Sequence, residues 1–275
     1  MSEPIPQPPP YPLVGHLPYI DPQNTIQSFE NLAAKYGRIF RLRIAGKDII
    51  IVSDYEIFNE LCDDHRFRKS ISPPLAQVRN GVGSGLFTAF PGEHDWEVAH
   101  RVLMPAFGPI AMVDMFQEMH DICSQLIQKW SRLGSDKKVS VTDDFTRLTL
   151  DSIALCAMDM RFNSFYRDDM HPFVEAMVEF LAESGERANR PRIAQAVMRG
   201  ANQRYQNNID TLKKTAREVI QHRKNSPSSK KDLLNAMIQG RDPRSGESMS
   251  DENIINNIIT FLIAGESIYL SSILK

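Results

Sequence analysis

The chain has 275 residues, 42% hydrophobic and 24% charged, with a formal net charge of −2, which suits one large or two small globular domains. A near-neutral balance gives no electrostatic footprint for nucleic acid. No N-terminal stretch joins a basic start, an apolar core and a small-residue cleavage site, and no run is long enough to cross a bilayer; a cytoplasmic chain without a transmembrane segment is expected.

Pro4 to Pro18 reads PIPQPPPYPLVGHLP, stiff and extended because each proline fixes its own backbone angle and turns the preceding residue away from helix. Residues 1–18 are therefore expected as an arm, either a ligand for proline-reading modules or a strap along the fold. Ile26, Phe29, Leu32, Ala33 and Tyr36 share one helical face and Gly37 stops it, predicting a helix over Thr25 to Tyr36. Phe40, Leu42 and Ile44 alternate with Arg41 and Arg43 before Gly46, and Asp48 to Val52 follows, predicting a small hairpin. Ser53 to Glu56 has the spacing of a capping box for a short helix reaching about Cys62.

Asn80 to Gly85, NGVGSG, is expected as a flexible loop; Leu86 stands where a dinucleotide fingerprint would need its third glycine. In EHDWEVAHRVLMPAF, Trp96 and His100 lie four apart on one helix face, and Pro105 limits the helix. Two ring N–H groups side by side can donate to one carboxylate, although a packed tryptophan beside a half-exposed histidine is the better account of the spacing alone. Cys62, Cys123 and Cys156 each fall in a helical pattern, odd in number and widely spaced. They suggest neither a disulfide framework nor a zinc site, and read as small buried hydrophobes.

Further on, Phe173, Met177, Phe180 and Leu181 give one amphipathic pattern, and Ile209, Leu212, Val219 and Ile220 another, in a long basic helix ending near Asn225. A polar linker is expected at Asn225 to Lys231 and a turn at Asp242 to Gly246. In the last stretch Ser250 is a good N-cap, Asp251 and Glu252 suit the helix dipole, and Ile254, Ile255, Ile258, Ile259 and Leu262 form one stripe. From Ile258 to Ala264 the sequence is apolar almost all round, as in a helix through the middle of a domain. Ala264 and Gly265 leave a bare patch followed by an acid and an alcohol, Glu266 and Ser267, so that dioxygen or a flat ligand could approach; a small-residue packing contact is the plainer account.

In this order the motifs PPPYPLVGHLP, YGRIF, the Trp96 to His100 helix and ITFLIAG resemble a cytochrome P-450, a haem-thiolate monooxygenase. RLTLDSIALCAMDMRFNSFY followed by HPF, and DPRSGESMSDENIINNIITFLIAG, are similar to the fatty-acid-hydroxylating branch fused to a diflavin reductase. The likeness runs from Pro4 to Gly265. It implies the N-terminal portion of that fold, mainly α with a small β-hairpin region, with residues 19–265 a partial haem domain and 266–275 a divergent tail. It implies haem as cofactor, with FAD, FMN and NADPH acting only through a reductase not contained in this chain, and a long-chain apolar substrate. Trp96 and His100 then become donors to a haem propionate, with Lys69 a third. His100 replaces the commoner arginine, which keeps a donor but loses the fixed fork and permanent charge. Leu75, Val78 and Phe87 match positions lining the substrate pocket, and Lys47 a basic residue meeting the fatty acid's carboxylate. The two helices near Phe173 and Ile209, with the loop between them near Gly185 to Pro191, match a lid over the substrate channel, where methionines and phenylalanines on the first would suit an adaptable apolar roof, although a methionine at helical spacing is more often plain core. Ala264 and Gly265 match the oxygen-activating helix, but Glu266 and Ser267 come one residue early, about 100° round the helix.

The family's Glu-x-x-Arg helix and the cysteine loop that ligates iron have no counterpart here, and none of the three cysteines sits in such a loop. A truncated or mis-spliced reading frame is therefore expected, inactive by itself. The stripe at Ile258 to Leu262 is expected to lack cover, with poor solubility as the result. The alternative is a non-catalytic helical module that binds apolar ligands or partners.

Overall fold

The computed structural model describes residues 4–21, 24–44, 46–63, 65–134 and 136–273, apart from the side chains of residues 189, 192, 193 and 266–273. Residues up to Lys69 form one compact unit, and those from Ser70 onward another.

In the first unit, α1 (Thr25–Tyr36) ends where Gly37 takes φ +92, a backbone angle that side chains other than hydrogen disfavour. The alternating run pairs as β1 (Ile39–Ile44) with β2 (Lys47–Val52), antiparallel, Ile44 opposite Lys47. Leu32, Phe40 and Leu42 are its buried centre. The proline-rich stretch is a strap, since Arg41 N–H donates to the Pro6 carbonyl at 2.8 Å. The buried His16 ring fastens it further: Nε2 donates to the Pro8 carbonyl, and Nδ1 accepts from Arg43 N–H. For α2 (Tyr55–Leu61) the expected cap is corrected by one residue. The Asp54 carboxylate accepts from Ile57 N–H at 3.0 Å, while the Ser53 hydroxyl donates to the Arg38 carbonyl. A carboxylate is the better acceptor at a helix N-terminus.

The second unit comprises α3 (Pro73–Val82), α4 (His94–Leu103), α5 (Pro109–Asp114), α6 (Phe116–Ser131), α7 (Val141–Met158), α8 (Pro172–Asn189), α9 (Arg192–Val197), α10 (Arg199–Asn225), α11 (Leu233–Gln239) and α12 (Asp251–Ile273). The Ser250 hydroxyl caps α12 by accepting from Asn253 N–H at 3.1 Å. Helix α12 then runs among α7, α10 and α3. Ile258, Ile259 and Leu262 are fully buried, so the expectation of an uncovered stripe is overturned: neighbours from this chain cover it. Helix α8 packs on α3 and α10, and Phe173, Met177 and Phe180 are core rather than an adaptable roof. Gly185 lies inside α8, which continues to Asn189, leaving only Arg190 and Pro191 before α9. The loop expected from Gly185 is thus a helix, held by Arg187 and Arg190 on Glu183.

Two of the three cysteines also depart from expectation. Cys62 and Cys123 are exposed, and only Cys156 is buried. The 3.6-residue pattern placed them on helices but did not say which face each would take.

Candidate functional site

The region read as a flexible glycine loop is closely packed and hydrogen-bonded backbone beside the Trp96 helix. Asn80 and Gly81 belong to α3, and Gly81 is bare because a Cβ there would come within 2.5 Å of the Phe180 ring. At Gly83, with φ +48, and at Gly85, a Cβ would meet Asn256 at 2.5 Å and the Thr260 hydroxyl at 2.4 Å, both on α12. These glycines let backbone approach helix; they are not there for looseness. Arg79 closes the turn from inside, donating to the Gly83 and Thr88 carbonyls at 3.2 and 3.0 Å and pairing with Glu93 at 2.7 Å. The Thr88 hydroxyl donates to the same Gly83 carbonyl at 2.8 Å.

Leu86 is gripped from two helices. Its N–H donates to Asn257 Oδ1 on α12 at 3.0 Å, and its carbonyl accepts from Trp96 Nε1 on α4 at 3.1 Å. Phe87, next in sequence, is 59% exposed. The Trp96 and His100 rings stack as expected, centroids 4.7 Å apart and planes 18° apart. Their donors are not equivalent, however. The indole N–H is bonded to Leu86, whereas among the described residues the His100 ring has no hydrogen-bond partner. Sequence spacing found the pair but not the Leu86 carbonyl that occupies one member.

Val78 packs against the core on α3, and Leu75 is half-buried one turn earlier. Lys47, exposed at the start of β2, and Lys69, exposed at the end of the first unit, belong to the other body of the fold. On α12, Thr260 back-bonds to the Asn256 carbonyl, and one turn on from Thr260, Ala264 is exposed. A Cβ on Gly265 would meet Ile153 of α7 at 3.0 Å, which makes that glycine a close helix contact. The side chains of Glu266 and Ser267 lie outside those described. Phe261 points to the Phe107 ring, 5.8 Å between centroids.

What the site can hold follows from its donors. An exposed aromatic ring, a stacked indole–imidazole pair whose imidazole nitrogens are open and a small-residue helix turn suit a flat, acid-bearing group such as haem on its propionate side. They do not suit its iron. Burial, helped by the nearby Glu118 carboxylate, pushes the Cys156 thiol up to about 11, the reverse of what a thiolate ligand needs. Cys156 Sγ instead faces the Met115 carbonyl at 3.7 Å, Cys123 lies on an exposed face of α6, and Cys62 closes α2 in the other unit. No group of three or more His, Cys, Asp or Glu among the described residues could hold a metal ion. No helix among them is long and apolar enough to cross a membrane.

Comparison with known proteins agrees with the motif order. The family pattern of cytochrome P-450 matches residues 5–267. A self-sufficient cytochrome P-450 monooxygenase of Phanerodontia chrysosporium is 49% identical over 265 residues, covering 96% of this chain and 25% of that protein. Bifunctional cytochrome P-450/NADPH–P-450 reductases of Aspergillus oryzae and Fusarium oxysporum are 50% and 51% identical, each over 96% of this chain and 24% and 25% of theirs. The chain thus spans about a quarter of the length of these relatives. With the pattern matched almost from end to end and half the residues shared, this chain belongs to the cytochrome P-450 family.

Proposed function

We propose that this chain supplies the propionate-side and substrate-side surfaces of a haem-dependent monooxygenase that acts on fatty acids or similar long apolar chains. Electrons would come from an NADPH-dependent reductase, such as the one the bifunctional relatives are named for, and by the resemblance that reductase would carry FAD and FMN. The observation that carries this reading is the Trp96–His100 stack beside the gripped Leu86–Phe87 segment. His100 would donate to a propionate, Trp96 would give the stack its fixed place, and Phe87 with Leu75 and Val78 would offer an apolar wall. By the resemblance, Lys47 would serve the substrate carboxylate and Lys69 a propionate; both are exposed, so each contact would be modest. Ala264 and Gly265 would leave room on α12, with Glu266 and Ser267 as the acid and alcohol that follow.

Haem, when bound with a thiolate, supplies this family's oxidising chemistry, and the three cysteines of this chain do not fit that ligand role. Their placement favours a second reading for the chain by itself, a helical module that binds an apolar ligand without catalysis.

Haem titration of the chain tests the first reading, followed by absorbance and by quenching of tryptophan fluorescence. Saturable binding is expected, weakened roughly tenfold in His100→Ala by loss of a charge-assisted bond, and equal or tighter in His100→Arg. The reduced carbon monoxide complex is expected to lack the red-shifted Soret band of a thiolate ligand. Absence of saturable binding, or indifference to His100, counts against the reading. Dodecanoate binding by a chain that takes up no haem would favour the second.

A further inference from the structure

We infer that Asn257 is a positioning residue: from inside α12 it fixes the Leu86–Phe87 backbone, and so decides where the Phe87 ring stands and which apolar chains that ring admits. This rests on Phe87 being a wall of the substrate pocket, as proposed above.

Asn257 is fully buried in a stretch whose neighbours Ile254, Ile255, Ile258 and Ile259 are core isoleucines. A buried amide has to be satisfied, and this one is satisfied in a single orientation. Its Nδ2 donates to the Asn253 carbonyl at 2.9 Å and faces Asn253 Oδ1 at 3.3 Å, so its Oδ1 is the atom left for Leu86 N–H at 3.0 Å. Leu86 N–H can only donate, which excludes the flipped amide. Asn253 extends the same row, its Nδ2 reaching the Ser84 carbonyl at 3.4 Å.

The contact is short-range because Gly85 sits directly on Thr260, where any side chain would collide. Trp96 holds the other polar group of Leu86. Both peptide groups flanking Leu86 are therefore anchored, one to α12 and one to α4, immediately before the 59% exposed Phe87 ring. An isoleucine at 257 would continue the apolar pattern and fill the volume, but it would leave the Leu86 N–H without an acceptor on that helix.

The test uses the chain itself with Asn257→Ala and Asn257→Asp, the latter, kept neutral by burial, retaining an acceptor oxygen for Leu86 N–H and an acid O–H to donate to the Asn253 carbonyl. Hydrogen exchange at the Leu86 amide and calorimetric titration with dodecanoate and hexadecanoate are the readouts. In Asn257→Ala, Leu86 is expected to exchange about tenfold faster or more. The ratio of the two acids' affinities is expected to shift roughly threefold or more, in the direction given by Phe87→Ala. Asn257→Asp should bring both back toward the unaltered chain, a rescue that mere loss of stability would not produce. If the alanine variant does not fold, Asn257→Leu takes its place. Unchanged Leu86 exchange, or an unchanged affinity ratio when both acids bind, overturns the inference. Should neither acid bind the unaltered chain, it is the functional reading that falls; positioning is then decided by Leu86 exchange together with the mobility of a fluorinated Phe87 ring.

Discussion

Asp242 and Asp151 are both buried carboxyls, and their proton affinities move in opposite directions. At Asp242 the bidentate Arg101 guanidinium, at 2.7 and 2.8 Å, outweighs burial and holds the carboxyl far below the usual range, aided by Arg244 N–H and the Ser245 hydroxyl. At Asp151 burial outweighs the two bonds from Ser164, and the carboxyl is raised. The linkage signs follow. Asp242 contributes stability that is present above its unfolded value, about 3.9, and is lost as pH falls toward the folded one. Asp151 contributes in the other sense, its share being fullest below about 3.9 and lost as pH rises through its folded value. Asp242→Asn should therefore lower stability at neutral pH and flatten the acid limb below about pH 4. Urea midpoints taken across that range check this, and an acid limb as steep as in the unaltered chain contradicts it. The sequence marked Asp242 as a turn residue, and a turn is what it opens; its partner lies far back on α4, beyond the reach of local spacing.

Among the elements, Gly81 shows why glycine in a sequence does not always mean freedom. In an exposed helix interior, Gly→Ala is favourable by about 1 kcal/mol. In α3 the added methyl would overlap the fully buried Phe180 ring, 2.5 Å away, and overpacking of this kind costs about 1–3 kcal/mol. Gly81→Ala is expected to destabilise by roughly that amount in urea unfolding, whereas a gain would mean that Phe180 repacks without strain. The same distinction explains what was legible. Helices α1, α10 and α12 were readable because their cores depend on a repeat within the element, and Trp96 with His100 because both lie on one helix. The run Asn80 to Gly85 was misread, since what those glycines make room for is Phe180, Asn256 and Thr260, all remote in sequence. Gly185 was misread for a related reason: helical propensity and the Glu183 arginine pairs override a single glycine.

At the scale of the molecule, the low solubility anticipated from α12 moves to another surface. The α12 stripe is covered, but the segment from Met104 through α5 to Phe116 carries a run of outward apolar side chains, with Ile110 80% and Val113 72% exposed and Met104, Phe107 and Phe116 alongside. Scattered surface aliphatics are ordinary, whereas a contiguous set on one short segment favours association, because each side chain gains roughly 1.5–3 kcal/mol on burial. A groove of about 660 Å³ borders it, walled by Ile110 and Ala111 on one side and Lys230, Asn235 and Ala236 on the other. The net charge of −2 adds little repulsion against contact between copies. The chain is therefore expected to associate with rising concentration and to bind a hydrophobic dye. Ile110→Glu with Val113→Lys should reduce both several-fold in light scattering and dye fluorescence, leaving the melt unaltered because neither residue is part of the core. If association persists in that double variant, the surface that drives it lies elsewhere, and the exposed faces of α2 around Tyr55 and Phe58 would be the next to alter.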